Sequence, residues 1–209
     1  MLTIHHLVHS RSQRIIWLCE EISIDYKVVT YQRDPVTSLA PPALEKIHPL
    51  GKSPVITDGS QTIIESGAII DYLLRQHGNG QFRPTLGTWH HEQYLQWLHY
   101  GESGAVLPLM LKLYTSKLAD SGAALQPRIS DELERHLGYI EQSLEGVEWL
   151  VGNTLSGADI QLSFVAEIAP LLHTADKLPN LLAFRDRCQN RPAYRRALSK
   201  TEPYAYGPK

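Results

Sequence analysis

The stretch Gly51-Lys52-Ser53-Pro54-Val55-Ile56 places a proline at the head of a strand-like run. Proline has a fixed φ and no N–H, so it marks the start or edge of a strand and not its middle. Glu65-Ser66 then stand where a helical pattern begins. An acid and a hydroxyl at that point lie beside the free N–H groups of a first helical turn, which bind anions. Together the two segments predict a small-molecule site made from backbone groups and a helix end.

Other reactive side chains offer less. The chain has two cysteines, Cys19 and Cys188, and no C-x-x-C, so neither a disulfide framework nor a zinc knuckle is expected. His90-His91 has no companion ligand at i+3 or i+4 apart from Tyr94, and His5-His6 would alternate to opposite faces of a strand. No metal is expected. With 43% apolar and 20% charged residues and a net charge of −2, the 209 residues suit a soluble globular protein and give no reason to expect nucleic acid. The first residues lack a secretory leader pattern and no apolar run is long enough to span a membrane, so the expected home is the cytoplasm.

The elements that must position the site follow from periodicity. Leu2, Ile4 and Leu7 open a strand, and Ile15, Leu18, Cys19 and Ile22 recur at helical spacing. Tyr26 to Tyr31 reads as a second strand, giving a β-α-β unit with parallel strands. A proline-rich stretch follows, with a short irregular helix around Ala43 to Ile47. Val55-Ile56-Thr57 and Thr62-Ile63-Ile64 flank Asp58-Gly59 as a hairpin, and Ile69, Ile70, Leu73 and Leu74 form one face of a helix that Gly78 stops.

A polar stretch after Gly78 predicts a boundary: one domain over residues 1–79, a linker over 80–87 and an all-helical domain over 88–209. Trp89 to Leu118 reads as one or two long helices, interrupted near Gly101 to Gly104 and at Pro108. Leu155-Ser156-Gly157-Ala158-Asp159-Ile160 combines a capping box with a hydrophobic staple and should add about 1 kcal/mol or more to the helix it opens.

A mixed sheet with helices followed by a helical half, carrying these motifs, resembles the cytosolic glutathione transferases. His5-His6-Leu7, Ser10-Arg11-Ser12-Gln13-Arg14 and Trp17-Leu18-Cys19-Glu20-Glu21 look most like a serine-type subgroup of bacteria and fungi. The resemblance implies an α/β thioredoxin-like domain with a four-stranded mixed sheet, then an all-α domain. Ser156 to Asp159 looks like the family's capping box in the core helix of that second domain.

From the same resemblance come site roles. Pro54 would be the family's cis proline, presenting the Ser53 backbone to the cysteinyl part of glutathione as a neighbouring strand would. Ser66 would cap the next helix and hold the γ-glutamyl carboxylate, Glu65 would meet the γ-glutamyl ammonium, and Lys52 the glycyl carboxylate. Ser10 best matches the thiol-activating serine. Ser12 is its rival, with His9 and Arg11 close enough to contribute, and either serine could instead cap the first helix. Moving a thiol pKa from about 8.5 to about 6.5 requires roughly 2.7 kcal/mol. A hydrogen bond to an anion contributes about 1.5–3 kcal/mol and a helix N-terminus about 0.3–1 more, so one hydroxyl suffices.

Tyr100 and Tyr114 in the helical half, and Tyr204 and Tyr206 in the tail, are candidates to line an electrophile site between the domains, or else aromatics of helix packing. The expected activity is conjugation of glutathione, the cosubstrate, to small hydrophobic electrophiles by a homodimer that needs no metal. A glutathione-dependent peroxidase or thiol reductase, or a non-catalytic glutathione-binding protein, are the alternatives on the same fold.

Overall fold

The computed structural model describes residues 1–208. In chain order the first elements are β1 (Thr3–Leu7), α1 (Ser12–Glu21), β2 (Lys27–Tyr31), β3 (Val55–Asp58), β4 (Gln61–Ile64) and α2 (Ser66–His77). Helices α3 (Trp89–Tyr100), α4 (Val106–Thr115), α5 (Gln126–Ser143), α6 (Gly157–Leu172), α7 (Pro179–Gln189) and α8 (Pro192–Ser199) follow. They divide into two compact units, one of Met1–Arg83 with the chain from Gln189 onward, the other of Pro84–Cys188.

The first unit holds a sheet of order β2-β1-β3-β4. β1 runs parallel to β2 and antiparallel to β3, and β3 and β4 form the expected hairpin, with Gly59 at φ 58° supplying its positive-φ position. In place of a helix around Ala43 to Ile47, a single tight turn of helix spans Pro42–Leu44 and seats Leu44 in the core with Leu7 and Val55.

α1 is buried from Ser12 to Glu20, because the sheet lies on one side and α2 and α8 pack on others. Its carboxylates tie α8 down. Glu20 accepts from Tyr26 Oη (2.7 Å), Arg196 Nε (2.9 Å) and Lys200 Nζ (2.8 Å). Glu21 takes both arms of Arg191 and the Trp17 indole N–H, while Tyr194 meets the Trp17 ring edge-on. The helical domain expected over 88–209 therefore ends earlier: the tail packs with the sheet-bearing unit. The sequence shows α8 as amphipathic but not which surface its apolar face covers.

The second unit is helical throughout. Its core is α6, in which every residue from Gly157 to Ala169 is buried. The capping box forms as expected: Asp159 accepts from Ser156 N (2.8 Å), Ser156 Oγ (2.9 Å) and Leu150 N (2.9 Å). Burial pushes the Asp159 carboxyl up to about 6 against the pull of those donors. The break between α3 and α4 falls at Gly101–Ala105, whereas Pro108 sits in the first turn of α4, where no intrahelical N–H is lost. No helix is long and apolar enough to cross a membrane among the described residues.

Candidate active site

Strand pairing gathers the singled-out residues of the first unit. His5 pairs with Val55 and Val55 with Ile64, so the end of β1, the start of β3 and the end of β4 meet at one end of the sheet. Ser10 follows β1, Ser53-Pro54 precede β3, and Glu65-Ser66 follow β4.

Direct contacts bind two of these segments together. The Ser53 hydroxyl donates to His5 O (3.1 Å) and accepts from Leu7 N (3.3 Å), locking the approach to β3 onto β1. The hydrogen bonds described at Ser53 all run through this hydroxyl. The Ser53–Pro54 bond is cis, as the resemblance implied. Gly51, at φ 57°, makes the bend that feeds the segment, and a Cβ there would lie 2.8 Å from Glu45 Cγ. Lys52 is exposed beside it.

The passage from β4 into α2 has no loop. Glu65 alone makes the turn, at φ 67° and ψ 120°, and its carbonyl accepts from Ile69 N (2.9 Å) to start the helix. Ser66, expected as the cap, is instead the first helical residue and is buried. With one residue to reverse direction, the cap position must take an unusual backbone conformation, and no side chain closes the helix end. The first-turn N–H groups of α2 thus keep their capacity to bind an anion. Glu65 itself is exposed.

The turn after β1 is built around three hydroxyls and a histidine. His9 stands at φ 53°, and the Arg33 guanidinium holds this corner by donating to Val8 O (2.9 Å) and His9 O (3.3 Å). Neither serine caps α1, since Arg11 occupies that position and makes no side-chain capping bond to the helix. Ser10 Oγ accepts from Ser12 N (3.2 Å), lies 2.8 Å from Ser12 Oγ and reaches Ser53 Oγ at 3.5 Å. Ser12 Oγ lies 2.8 Å from His6 Nδ1. Ser12 is 0% exposed and Ser10 6%, so Ser12 sits behind Ser10. Arg14 is buried farther along α1 and Arg11 is half-buried.

His6 is the residue that sequence reasoning missed. The alternation of His5 and His6 is as expected: His5 bonds Tyr31 Oη (3.0 Å) and Thr57 Oγ1 (3.3 Å), while His6 turns to Ser12. That alternation already placed one of the two histidines on the face that α1 covers, which was the available signal. Burial pushes His6 down to about 4, and His9 adds to the effect. The tail also reaches this turn. Ala205 N donates to His9 Nδ1 (3.2 Å) and Thr201 Oγ1 to Gln13 Oε1 (3.2 Å).

The tyrosines separate. The Tyr100 hydroxyl bonds His136 on α5, 2.8 Å from Nδ1 and 3.2 Å from the backbone oxygen, and its ring packs on Trp97 and Tyr139. It is thus a packing aromatic of the second unit. Tyr114 is 61% exposed on α4, one of an exposed apolar row with Leu107, Leu111 and Leu118. In the first unit, Tyr204 and Tyr206 meet edge to face, and Tyr206 O accepts from Gln189 Nε2. Cys19 and Cys188 are both buried, and burial, with Glu20 nearby, pushes the Cys19 thiol far up. Among the described residues no group of three or more His, Cys, Asp or Glu could hold a metal ion.

Comparison with known proteins bears on this geometry. Residues 5–81 match the family model described as glutathione S-transferase, N-terminal domain, and residues 104–192 the corresponding C-terminal domain. The chain is 32% identical to glutathione S-transferase 3 of Schizosaccharomyces pombe, over 97% of this chain and 88% of that one. It is 32% identical to glutathione S-transferase 1 of Saccharomyces cerevisiae over 81% of each. A solved glutathione S-transferase from Actinobacillus pleuropneumoniae superposes with a TM-score of 0.90 at 34% identity, covering 98% of this chain and 94% of that one.

Proposed function

The chain belongs to the glutathione S-transferase family, and we propose that it joins the glutathione thiolate to small hydrophobic electrophiles with Ser10 as the thiolate's hydrogen-bond donor. One observation carries the reading: Ser10, the cis Ser53–Pro54 bond and the open N-terminus of α2 converge at one end of the sheet. An extended anionic peptide ligand with a thiol at its middle suits such an arrangement.

Each part of glutathione has a counterpart. The cysteinyl backbone pairs with the main chain of Ser53 before Pro54. The γ-glutamyl carboxylate sits on Ser66 and the first N–H groups of α2, with its ammonium against the exposed Glu65 carboxylate. Lys52 faces the glycyl carboxylate. The thiol releases its proton to solvent, and Ser10 stabilises the sulfur anion that remains. That sulfur forms the new C–S bond, and the electrophile's leaving group departs with its bonding pair. Ser10 is favoured over Ser12 because the Ser12 hydroxyl is enclosed between His6 and Ser10. Arg11, the sequence neighbour of Ser10, would add positive potential. Of the two tyrosines expected to line an electrophile site, Tyr114 keeps an exposed ring, while Tyr100 has its hydroxyl engaged by His136. The reading carries with it a cytoplasmic homodimer.

Ser10→Ala tests it. Removing a charge-assisted hydrogen bond of about 1.5–3 kcal/mol should raise the pKa of the bound thiol by about 1–2 units. Turnover with an aryl halide at neutral pH should fall roughly 10- to 100-fold, while affinity for S-methylglutathione, which has no thiol proton, should hold. Unchanged turnover rejects the assignment.

A further inference from the structure

Ser10 alone does not decide where its proton points. We propose that Ser12 and His6 are positioning residues that turn the Ser10 hydroxyl proton outward, through a chain running from His6 Nδ1–H to Ser12 Oγ and from Ser12 O–H to Ser10 Oγ. This rests on the reading of Ser10 as the thiolate's donor.

The hydrogen-bond inventory supports the direction. Ser53 Oγ gives its proton to His5 O and already accepts Leu7 N–H, so it has no proton left for Ser10. As an acceptor it stands 3.5 Å from Ser10 Oγ, at the limit of a hydrogen bond. Ser10 Oγ accepts one bond from Ser12 N–H at 3.2 Å. The 2.8 Å contact between the two hydroxyls then runs one of two ways. If Ser10 donates to Ser12, a sulfur anion beside Ser10 meets oxygen lone pairs. If Ser12 donates to Ser10, both Ser10 lone pairs are filled and its proton is free for the anion.

A thiolate accepts and cannot donate, so it selects the second arrangement. That arrangement requires a donor to Ser12, and His6 Nδ1 lies 2.8 Å from Ser12 Oγ. His6 is 2% exposed, and burial keeps it neutral at pH 7, with a single ring proton to place. Nothing is ionised along the chain and no proton is transferred. Successive donors polarise one another and strengthen the last bond. The weaker alternative for the Ser12 proton, Leu7 O at 3.4 Å, competes poorly with a hydroxyl at 2.8 Å.

The test uses the full chain and reads the pKa of bound glutathione by thiolate absorbance, with S-methylglutathione affinity alongside. Ser12→Ala should raise the thiol pKa by about 0.5 unit, leaving about threefold less thiolate at a fixed pH below it. S-methylglutathione affinity should stay within about twofold, and Ser12→Thr should restore the wild-type pKa. Ser12→Ala should add nothing in a Ser10→Ala background. A second measurement needs no variant: the nitrogen chemical shifts of the His6 ring should report the Nδ1–H tautomer in the glutathione complex. An Nε2–H tautomer there, or an unchanged thiol pKa in Ser12→Ala while Ser10→Ala raises it, overturns the relay and leaves Ser10 standing. An unchanged thiol pKa in Ser10→Ala removes both.

Discussion

Glu65 is where fold and function should be separable by one substitution. It holds φ 67° and ψ 120°, a conformation that a residue with a side chain adopts at a cost of about 1–3 kcal/mol. Glycine would relieve that strain. It would also loosen the unfolded chain, at about 0.5–1 kcal/mol, and remove a carboxylate beside a helix N-terminus, at about 0.3–1 kcal/mol. Taking about 2 kcal/mol for the strain leaves Glu65→Gly between equal to the parent and more stable by about 1 kcal/mol. Binding should move the other way. If the carboxylate meets the γ-glutamyl ammonium, its loss removes about 1.5–3 kcal/mol, or roughly 10- to 150-fold in affinity. Urea unfolding of the ligand-free protein and calorimetric titration with glutathione measure the two quantities independently. Glu65→Gln is the control: it keeps the strain and loses only the charge, so its stability should fall by about 0.3–1 kcal/mol, and its affinity should fall as well. The reasoning fails if Glu65→Gly unfolds more easily and binds glutathione as well as before.

Two further outcomes follow from charged groups inside the units. Asp159→Ala would leave the N–H groups of Leu150 and Ser156 without their acceptor and remove the cap of α6, a loss of about 3–5 kcal/mol in urea unfolding; a change below about 1 kcal/mol would show that the box contributes little. For Glu20, burial alone would raise the carboxyl, but hydrogen bonds from Lys200, Tyr26 and Arg196 outweigh it and hold the group down at about 2. Its folded value lies below its unfolded one, so this stabilisation is complete above about pH 4.5 and disappears as pH falls through about 2. Arg196 and Lys200 are half exposed, so screening reduces the contribution to about 1–2 kcal/mol. Glu20→Gln should flatten the fall in unfolding free energy over that window, and an unaltered acid limb would contradict the assignment.

What could be read from the sequence was whatever depends on near neighbours. The hairpin around Gly59, the capping box of Ser156 and Asp159, and the helix from Ser66 each follow from residues within a few positions of one another. The parallel pairing of β1 and β2 followed because the helix between them returns the chain to the end of the sheet where β1 began. Long-range choices were not legible. Nothing in Arg191, Tyr194 or Arg196 says that their partners are Glu21, Trp17 and Glu20, some 170 residues away. Capping of α2 failed for a different reason: Ser66 has the right chemistry one position too late, because no loop separates β4 from the helix.

The same division explains the site. Ser53, Pro54 and Glu65 were visible because each departs from its local context, a proline before a strand or an acid before a helix. His6 departs from nothing. As one of two adjacent histidines on a strand it matched any half-buried strand residue, and its position follows only when α1 folds back over β1 and carries Ser12 to 2.8 Å from its ring. The residues proposed to meet ligand thus leave local marks, since ligand contact demands exposed or unusual backbone. Those that orient them from behind are set by packing, and packing depends on which elements pair. If the relay through His6 operates, the outer half of this site belongs to the sequence and the inner half to the fold.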